Sequence, residues 1–403
     1  MSARVRNYYL VATASWFMAF GMQSVVFAWL VTIVLHEDAE FVGWAQTALL
    51  IPGMLLILLA GALADRIGPD RQALWAQLFA ALIPWLLILA LANGLLSYPV
   101  MIVYALAMGC AQAFVTPARD GLLNHVSGGD VQRTVLLASL SQFSFQILGY
   151  LLAGLADSVG AALILGTQSV VLLVGVIAYV LLRRTHAVPP APQQQSMVAG
   201  VVQGARTVMG SPVMRIVVLQ NVAMACFFMG CFIVCFPLVV REVYMGSSGD
   251  LGVMSALNSS GLVVTILVML KVGYVQRPGR ALILAQMMGA LVLGLSGTMS
   301  VFAGFLTAIF CWGICGGIAM PMSRTLMQEL APPEQRARVM SFYAFSFMGA
   351  GPIGTVFCGY LSKLLGPQLA IVTCGSAMFL VTIMMILFSR LWRVEFNPQA
   401  QAA

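Results

Sequence analysis

A compact group of charged side chains lies in the segment GALADRIGPDRQAL, residues 61–74, named here the charged segment. Asp65, Arg66, Asp70 and Arg71 fall within seven residues, although Asp, Glu, Lys and Arg make up only 8% of the chain. Carboxylates and guanidinium groups at this spacing can form ion pairs, and a carboxylate can also accept from the unpaired N–H groups at a helix start. The residue types predict an electrostatic contact between helices.

Neutral polar side chains occur near the centres of long apolar segments. An amide that faces lipid is costly, so each should face the protein interior, where it either bonds a neighbouring helix or lines a central cavity. Such donors and acceptors among Phe, Met and Trp suit an amphipathic or large neutral ligand. The candidate substrate-binding residues are Gln23, Gln142, Gln146, Asn221, Asn258 and Trp312.

The eight cysteines all fall in apolar segments. Cys231 with Cys235, and Cys311 with Cys315, have the i, i+4 spacing that can hold a soft metal ion. No His or carboxylate accompanies them, and Cys is a common small apolar residue in a membrane helix, so packing is the favoured interpretation. We therefore expect no metal, no cofactor and no catalytic residue, because a membrane enzyme would need a buried nucleophile and base or a metal cluster.

The elements that must position these residues follow from composition. Hydrophobic residues make up 61% of the 403-residue chain. Apolar stretches of about 20 residues recur, and each is long enough to cross roughly 30 Å of hydrocarbon as a helix. Transmembrane strands would instead alternate in polarity over about 10 residues. The sequence predicts an all-α polytopic membrane protein with 12 spans, at about 9–35, 41–62, 73–92, 98–118, 134–156, 161–182, 214–239, 251–270, 281–299, 302–322, 339–361 and 368–389.

Basic residues predict the orientation of these spans. With the N-terminus inside, 18 of the 20 Lys and Arg residues fall on the inner face, and only Arg241 and Lys363 fall outside. This asymmetry is the positive-inside pattern of a membrane protein. It predicts that both termini are cytoplasmic, and it explains the net charge of +7 without a nucleic-acid partner.

The chain repeats itself at half its length. PARDGLLNHVSGGDVQR begins at Pro117 and PMSRTLMQELAPPEQRAR begins at Pro321, and Leu122 then corresponds to Leu326. Two six-helix halves related in this way are typical of a secondary transporter. We expect an N-terminal six-helix bundle at 1–182, a cytoplasmic linker at 183–213 and a C-terminal six-helix bundle at 214–403. Residues 197–209 of the linker have the periodicity of an amphipathic helix, which either lies on the inner membrane surface or serves as a connector.

The charged segment resembles the loop 2–3 signature of the major facilitator superfamily, G-x-x-x-D-R-x-G-R-[KR]. Gly61, Asp65, Arg66 and Gly68 match in register, and the basic residue is displaced to Arg71. The second-half counterpart, KVGYVQRPGRAL, keeps the arginines and loses the aspartate. Together with the helix count, the repeat and the central linker, the resemblance extends over the whole chain.

This resemblance implies that the charged segment holds the two halves together on the cytoplasmic side. Asp65 would face the start of the eleventh helix, near residue 339, and Arg71 would pair with Asp120, with Gly61 allowing a close helix approach. The alternative is a solvated turn with positive-inside charge. We refer to the proposed device as the latch, whose candidate residues are Gly61, Asp65, Arg66, Gly68, Arg71 and Asp120.

The substrate and energy source are less constrained. No Asp, Glu, Lys, Arg or His lies in the middle of a predicted span. Ala105 stands where proton-driven drug antiporters of the superfamily often carry arginine, so a proton is only a candidate coupling ion. The stretch AFVTPARDGLLNHV resembles the branch that contains bacterial siderophore exporters and related efflux proteins.

The expected function is that of a secondary transporter that exports an amphipathic small molecule across the bacterial inner membrane by alternating access. The alternative is an importer of a nutrient or metal chelate. The expected partners are a small-molecule substrate and membrane lipid, with no nucleic acid, and the expected state is a monomer.

Overall fold

The computed structural model describes residues 3–126, 131–185, 197–272, 275–332, 335–389 and 391–393. Within these ranges the chain forms helices and no strand. The helices of the first half are α1 (Ala3–Trp29, extended by a π-helical turn at Leu30–Val34), α2 (Ala39–Ile67), α3 (Pro69–Leu82 and Pro84–Ala92), α4 (Tyr98–Val126), α5 (Val131–Ala153) and α6 (Ala161–Thr185).

The helices of the second half follow a separate linker helix, Met197–Gly210. The helix α7 runs from Pro212 to Glu242 and contains two π-helical segments. The remaining helices are α8 (Ser248–Val272), α9 (Pro278–Ser296), α10 (Phe302–Leu330), α11 (Arg336–Leu365) and α12 (Pro367–Phe388).

The prediction of an all-α polytopic membrane protein is confirmed. In the described part of the chain, 11 helices are long and apolar enough to cross a membrane. The fifth predicted span corresponds to a shorter apolar helix, Leu137–Ala153, which is the part of α5 whose side chains are described.

The charged segment forms two helix ends rather than an open loop. Asp65 and Arg66 lie in the last turn of α2, and Asp70 lies in the first turn of α3. The junction between them is Gly68, whose φ of 90° suits glycine and few other residues. Pro69 then starts α3 at a position where its missing N–H is not needed.

Within each half, the equivalent pair of helices is in close contact. A Cβ at Gly149 of α5 would lie 2.1 Å from the main-chain oxygen of Met18 in α1. A Cβ at Gly354 of α11 would lie 2.6 Å from the main-chain oxygen of Cys226 in α7. These glycines therefore allow backbone-to-backbone contact between α1 and α5 and between α7 and α11, as small residues do in membrane helix pairs.

By packing, the chain divides into two compact units. The first comprises Met1–Met197 and Val240–Ala256, and the second comprises Val198–Val239 and Leu257–Ala403. The first unit thus includes the α7–α8 connection, which lies in the other half of the sequence. The domain boundaries that the sequence suggests, at 182/183 and 213/214, stay a prediction.

Hydrogen bonds explain why the α7–α8 connection belongs to the first unit. The Arg241 guanidinium donates to the main-chain oxygens of Thr32, at 3.0 Å, and Glu37, at 2.6 Å. The Ser248 main-chain N–H donates to Asp157 Oδ2 at 2.5 Å, and the Asp157 N–H donates to Ser248 Oγ at 3.0 Å. Charge-assisted bonds of this kind are stronger than neutral ones.

The linker helix packs within the second unit against the start of α11. The Arg338 guanidinium donates to Gln203 Oε1. Gly204 and Val208 are buried there, whereas Val202 and Met209 remain exposed. The predicted apolar face is therefore divided between a protein contact and an exposed strip. Residues 186–196 of the predicted linker lie outside the described ranges.

Candidate substrate cavity

The helix α7 departs from α-helical geometry where it forms the cavity wall. Two π-helical segments, Met224–Met229 and Cys231–Cys235, are separated by Gly230. A π turn contains one more residue than an α turn, and such turns occur frequently at functional sites. Phe228 and Phe232, one from each π-helical segment, contact the Trp312 ring of α10.

The second unit contains a cavity of about 170 Å³. Side chains from α7, α8, α10 and α11 line it, and most are aromatic or contain a thioether. The lining residues are Met224, Phe228, Met229, Phe232, Asn258, Leu262, Trp312, Gly313, Gly316, Met320 and Phe347.

Trp312 is the centre of the aromatic part of this wall. Its ring centroid lies 5.5 Å from that of Phe228 and 5.6 Å from that of Phe236, both edge-to-face. Phe232 completes the group at 6.1 Å. Edge-to-face contacts fix ring orientations beyond what burial alone provides, so the aromatic wall is pre-formed. The methionine side chains elsewhere in the lining are flexible and polarisable, so they can adapt to different ligand shapes.

Asn258 supplies an amide to this apolar lining. Its side chain is 7% exposed, and its Nδ2 donates to the main-chain oxygen of Ile309 over a long distance of 3.4 Å. Helices α8 and α10 are in backbone contact here, since a Cβ at Gly313 would lie 2.2 Å from the Asn258 main-chain oxygen. No protein donor to Asn258 Oδ1 is found among the described residues, so this oxygen can accept a hydrogen bond from a ligand.

Asn221 has a different environment from Asn258. Its Nδ2 donates to the main-chain oxygen of Tyr343 and to Ser346 Oγ, both at 3.1 Å. The Tyr343 hydroxyl in turn donates to Ser323 Oγ at 2.9 Å. These bonds join α7, α11 and α10, so Asn221 holds helices together and is not among the cavity-lining residues.

The other three candidate amides lie in the first unit. Gln146 Nε2 donates to the Tyr150 hydroxyl, one turn further along α5, at 2.7 Å. Gln23 on α1 is only 5% exposed, and Gln142 is half-buried. The helices α1 and α5 are in close contact, so Gln23 and Gln146 lie on helices that pack against each other. This packing is needed if the two side chains are to face the same interior surface.

An ion pair that the sequence analysis did not anticipate joins α3 to α6. Arg183 Nε lies 2.9 Å from Asp70 Oδ2, and the Asp70 side chain is only 3% exposed. Asp70 belongs to the charged segment, and Arg183 is not among the residues that the sequence predicts as its partners. The 113 residues that separate it from Arg183 explain why sequence spacing did not reveal the pair.

The pairing of Arg71 with Asp120 is not found among the described ion pairs. Asp120 instead binds the adjacent Arg119, with Nη2 to Oδ1 at 3.0 Å. The Arg119 guanidinium also lies 4.6 Å from the centroid of the Phe17 ring. A cation–π contact at this distance stabilises the guanidinium beside Asp120. Arg71 is exposed, and the side chain of Asp65 lies outside the described residues.

Gln72 follows Arg71 in the charged segment. In the structure it is 3% exposed, and its Nε2 donates to the main-chain oxygens of Ala60, at 2.8 Å, and Phe114, at 3.0 Å. These acceptors lie on α2 and α4. Gln72 therefore joins α2, α3 and α4 through neutral bonds.

Glu37, in the α1–α2 connection, provides one of the two acceptors for Arg241. Burial raises the pKa of the Glu37 carboxyl, and the negative charge of Asp38 raises it further. The main-chain oxygen of Glu37, not its carboxylate, accepts from Arg241, so this contact does not depend on the ionisation of Glu37.

These features define a polytopic helical membrane protein with the same close helix contacts in each half and an apolar cavity beside π-helical turns. Residues 9–355 match the family model of the Major Facilitator Superfamily. The chain belongs to this superfamily, which confirms the resemblance in the charged segment.

Individual proteins of known type are also similar to this chain. The chain is 26% identical over 397 residues to the multidrug efflux pump Tap of Mycolicibacterium fortuitum, with 93% of each sequence covered. Its fold resembles the crystal structure of the nucleoside transporter NupG, with a TM-score of 0.73 at 12% identity, covering 97% of this chain and 100% of that one. A structure of a proton-dependent oligopeptide transporter gives a TM-score of 0.75 at 13% identity, covering 98% and 99%.

Proposed function

We propose that this transporter exports an amphipathic small molecule by alternating access. The observation that carries the proposal is the cavity of the second unit, whose aromatic and methionine lining includes the Asn258 amide. The similarity to the multidrug efflux pump Tap supports export of such a cargo. The 12–13% identity to NupG and the oligopeptide transporter supports the fold and gives no argument about cargo.

The cavity favours cargo with a large apolar area. Burying apolar surface stabilises a complex by about 25 cal/mol per Å², so a hydrophobic ring against Trp312 and Phe228 supplies most of the affinity. Asn258 Oδ1 would accept one hydrogen bond and orient the ligand. We retain Gln23, Gln142 and Gln146 as candidate substrate-contacting residues of the first unit, and we assign Asn221 to helix packing.

Transport into inside-out membrane vesicles tests this function and its direction. An exporter that takes substrate from the cytoplasmic side should accumulate an amphipathic fluorescent dye in the vesicle lumen, whereas an importer should deplete a preloaded lumen. A panel of dyes, siderophores and lipids, with and without a proton gradient, would identify the cargo class and test the proton as the coupling ion. Vesicles without the protein provide the control. Depletion of a preloaded nutrient or metal chelate would support import and contradict our proposal.

We propose that the latch operates where α2 ends and α3 begins. Asp65 and Arg66 lie in the last turn of α2, and the constrained Gly68 fixes the angle at which α3 continues. This arrangement holds the matched signature residues in a defined geometry, which a flexible solvated turn would not require. Gly61, Arg71 and Asp120 remain latch candidates, although Asp120 binds Arg119 in this structure.

Replacing the latch carboxylate gives a direct test. We expect Asp65→Asn to reduce the transport rate about tenfold or more without changing membrane insertion, because the amide keeps the shape of the side chain and loses its charge. Conformation-sensitive cysteine labelling should shift toward the inward-facing state. Asp38→Asn, at an exposed position of the α1–α2 connection, is the matched control. Normal transport with an unchanged labelling ratio would support the solvated turn instead.

We further propose that the protein lies in the bacterial inner membrane as a monomer, with both termini cytoplasmic. The distribution of Lys and Arg supports this orientation. It places the α1–α2 and α7–α8 connections on the periplasmic side, where the Arg241 bonds to Thr32 and Glu37 would lie.

A further inference from the structure

Three cysteine thiols converge inside the second unit. Cys231 and Cys235, from the second π-helical segment of α7, meet Cys358 of α11, and the three Sγ atoms lie within 4.8 Å of one another. All three residues are buried. Cys374 of α12 extends the group, with its Sγ 3.9 Å from that of Cys358. We call these four residues the thiol cluster.

The backbone positions these thiols through the contact between α7 and α11. Gly230 and Gly354 face each other across this contact, since a Cβ at Gly230 would lie 2.7 Å from the Gly354 main-chain oxygen. The same Cβ would lie 2.8 Å from Cys358 Sγ. Close approach of the two helices therefore brings Cys358 beside the α7 cysteines.

The thiol cluster is separate from the substrate cavity. Four α7 residues line the cavity, and none of them is a cysteine. The thiols have weak partners: Cys358 Sγ lies 3.8 Å from the Cys226 main-chain oxygen, and Cys235 Sγ lies 3.4 Å from Ser362 Oγ. Sulfur forms weak hydrogen bonds, so these contacts leave the sulfur lone pairs available to a metal ion.

We propose that the thiol cluster binds a divalent thiophilic cation of the zinc and cadmium class. Zinc–sulfur bonds are about 2.3 Å long, which corresponds to sulfur atoms about 3.8 Å apart in a tetrahedral site. The observed separations, within 4.8 Å, require only a small contraction. Sets of sulfur ligands select soft cations over magnesium or calcium.

Charge balance determines the protonation of the bound state. A net charge in a buried apolar site is costly, so the stable complex has two thiolates for one divalent cation. Two S–H bonds break, two metal–sulfur bonds form, and two protons leave to solvent. The Ser362 hydroxyl, whose Oγ lies 3.4 Å from Cys235 Sγ, can provide a neutral oxygen ligand, and the remaining cysteines of the cluster stay protonated. The bound cation ties α7 to α11, on a face of α7 that does not line the cavity.

Cadmium is the probe that tests this site. Full-length protein without a polyhistidine tag, reduced with a phosphine and reconstituted in lipid nanodiscs, would be titrated with cadmium chloride while thiolate-to-cadmium charge-transfer absorption is recorded. We expect one cadmium ion per chain by elemental analysis. Because two protons are released, the association constant should rise about 100-fold per pH unit while the thiols stay protonated.

Cysteine variants identify the ligands. We expect Cys358→Ser and Cys235→Ala each to weaken cadmium binding at least tenfold and to abolish the increase in melting temperature that cadmium causes in the parent protein. Cys311→Ser is the matched control, since Cys311 and Cys315 share the i, i+4 spacing without belonging to the thiol cluster. Size-exclusion profiles would identify folded variants, and Cys231→Ala replaces either one that does not fold.

Three results would overturn the metal site. They are the absence of cadmium binding to the parent protein, unchanged binding in folded variants of the thiol cluster, and an equal loss of binding in Cys311→Ser. Transport of a substrate in metal-free buffer would leave the proposed function intact in each case, so failure of the metal site is distinguishable from failure of the transporter assignment.

Discussion

Trp312→Ala is expected to weaken substrate binding about 30-fold, which is the effect of losing about 2 kcal/mol at an aromatic hot spot. Trp312 lines the cavity and contacts three phenylalanine rings, so its removal both takes away ligand contact area and releases the orientation of its neighbours. Equilibrium binding of a transported dye to purified protein provides the measurement. The transport rate at low dye concentration should fall by a similar factor.

Two further variants separate binding from folding. Trp75→Ala removes the same side chain from α3, where it is 56% exposed, and should leave dye affinity unchanged. Trp312→Phe keeps an aromatic ring and should recover part of the affinity. If Trp312→Ala binds the dye normally while remaining folded, the cavity of the second unit is not the substrate site.

The second large effect is expected from Asp70→Asn, which should lower the free energy of unfolding by about 2 kcal/mol. Removing one partner of a fully buried ion pair costs about 3–5 kcal/mol because the other charge is left unpaired. The Arg183 side chain is 37% exposed, so water compensates part of that loss. Thermal or denaturant unfolding in a fixed detergent provides the measurement.

A double-mutant cycle isolates the contribution of the pair. Arg183→Gln in the Asp70→Asn background should cost much less than Arg183→Gln alone, because its partner is already neutral. Asp120→Asn is the matched control: its ion pair with Arg119 is 63% exposed at the carboxylate and should contribute little. Additive effects of Asp70→Asn and Arg183→Gln would contradict a stabilising pair.

Hydrophobicity and the internal repeat made the fold predictable from the sequence. A membrane helix must satisfy its backbone internally and present an apolar surface to lipid, so the spans are visible in the sequence. The predicted spans ended at 62 and began at 73, whereas the structure continues both helices to a junction at Gly68. Leu122 and Leu326, paired by the repeat, are both fully buried in α4 and α10.

Partner choice and cavity shape were not predictable in the same way. The charged segment showed which residues can form ion pairs, yet Asp70 binds Arg183 on α6, and Asp120 binds Arg119. Asn258 and Trp312 were identified by residue type, but the methionine and phenylalanine lining of α7 lies in π-helical segments. The hydrophobic pattern of the sequence does not distinguish a π turn from an α turn, so this lining was not predicted.

The discontinuous first unit has a consequence for how the chain folds during synthesis. Its last part, Val240–Ala256, emerges from the ribosome only after α1 to α6, the linker helix and most of α7 have been made. Domains usually fold in order as they are synthesised. Here the carbonyl groups of Thr32 and Glu37 receive their guanidinium donor only when Arg241 arrives. The N-terminal helices are therefore synthesised before the segment Val240–Ala256, which completes their unit. A translational arrest before residue 240 would release a first unit without this segment.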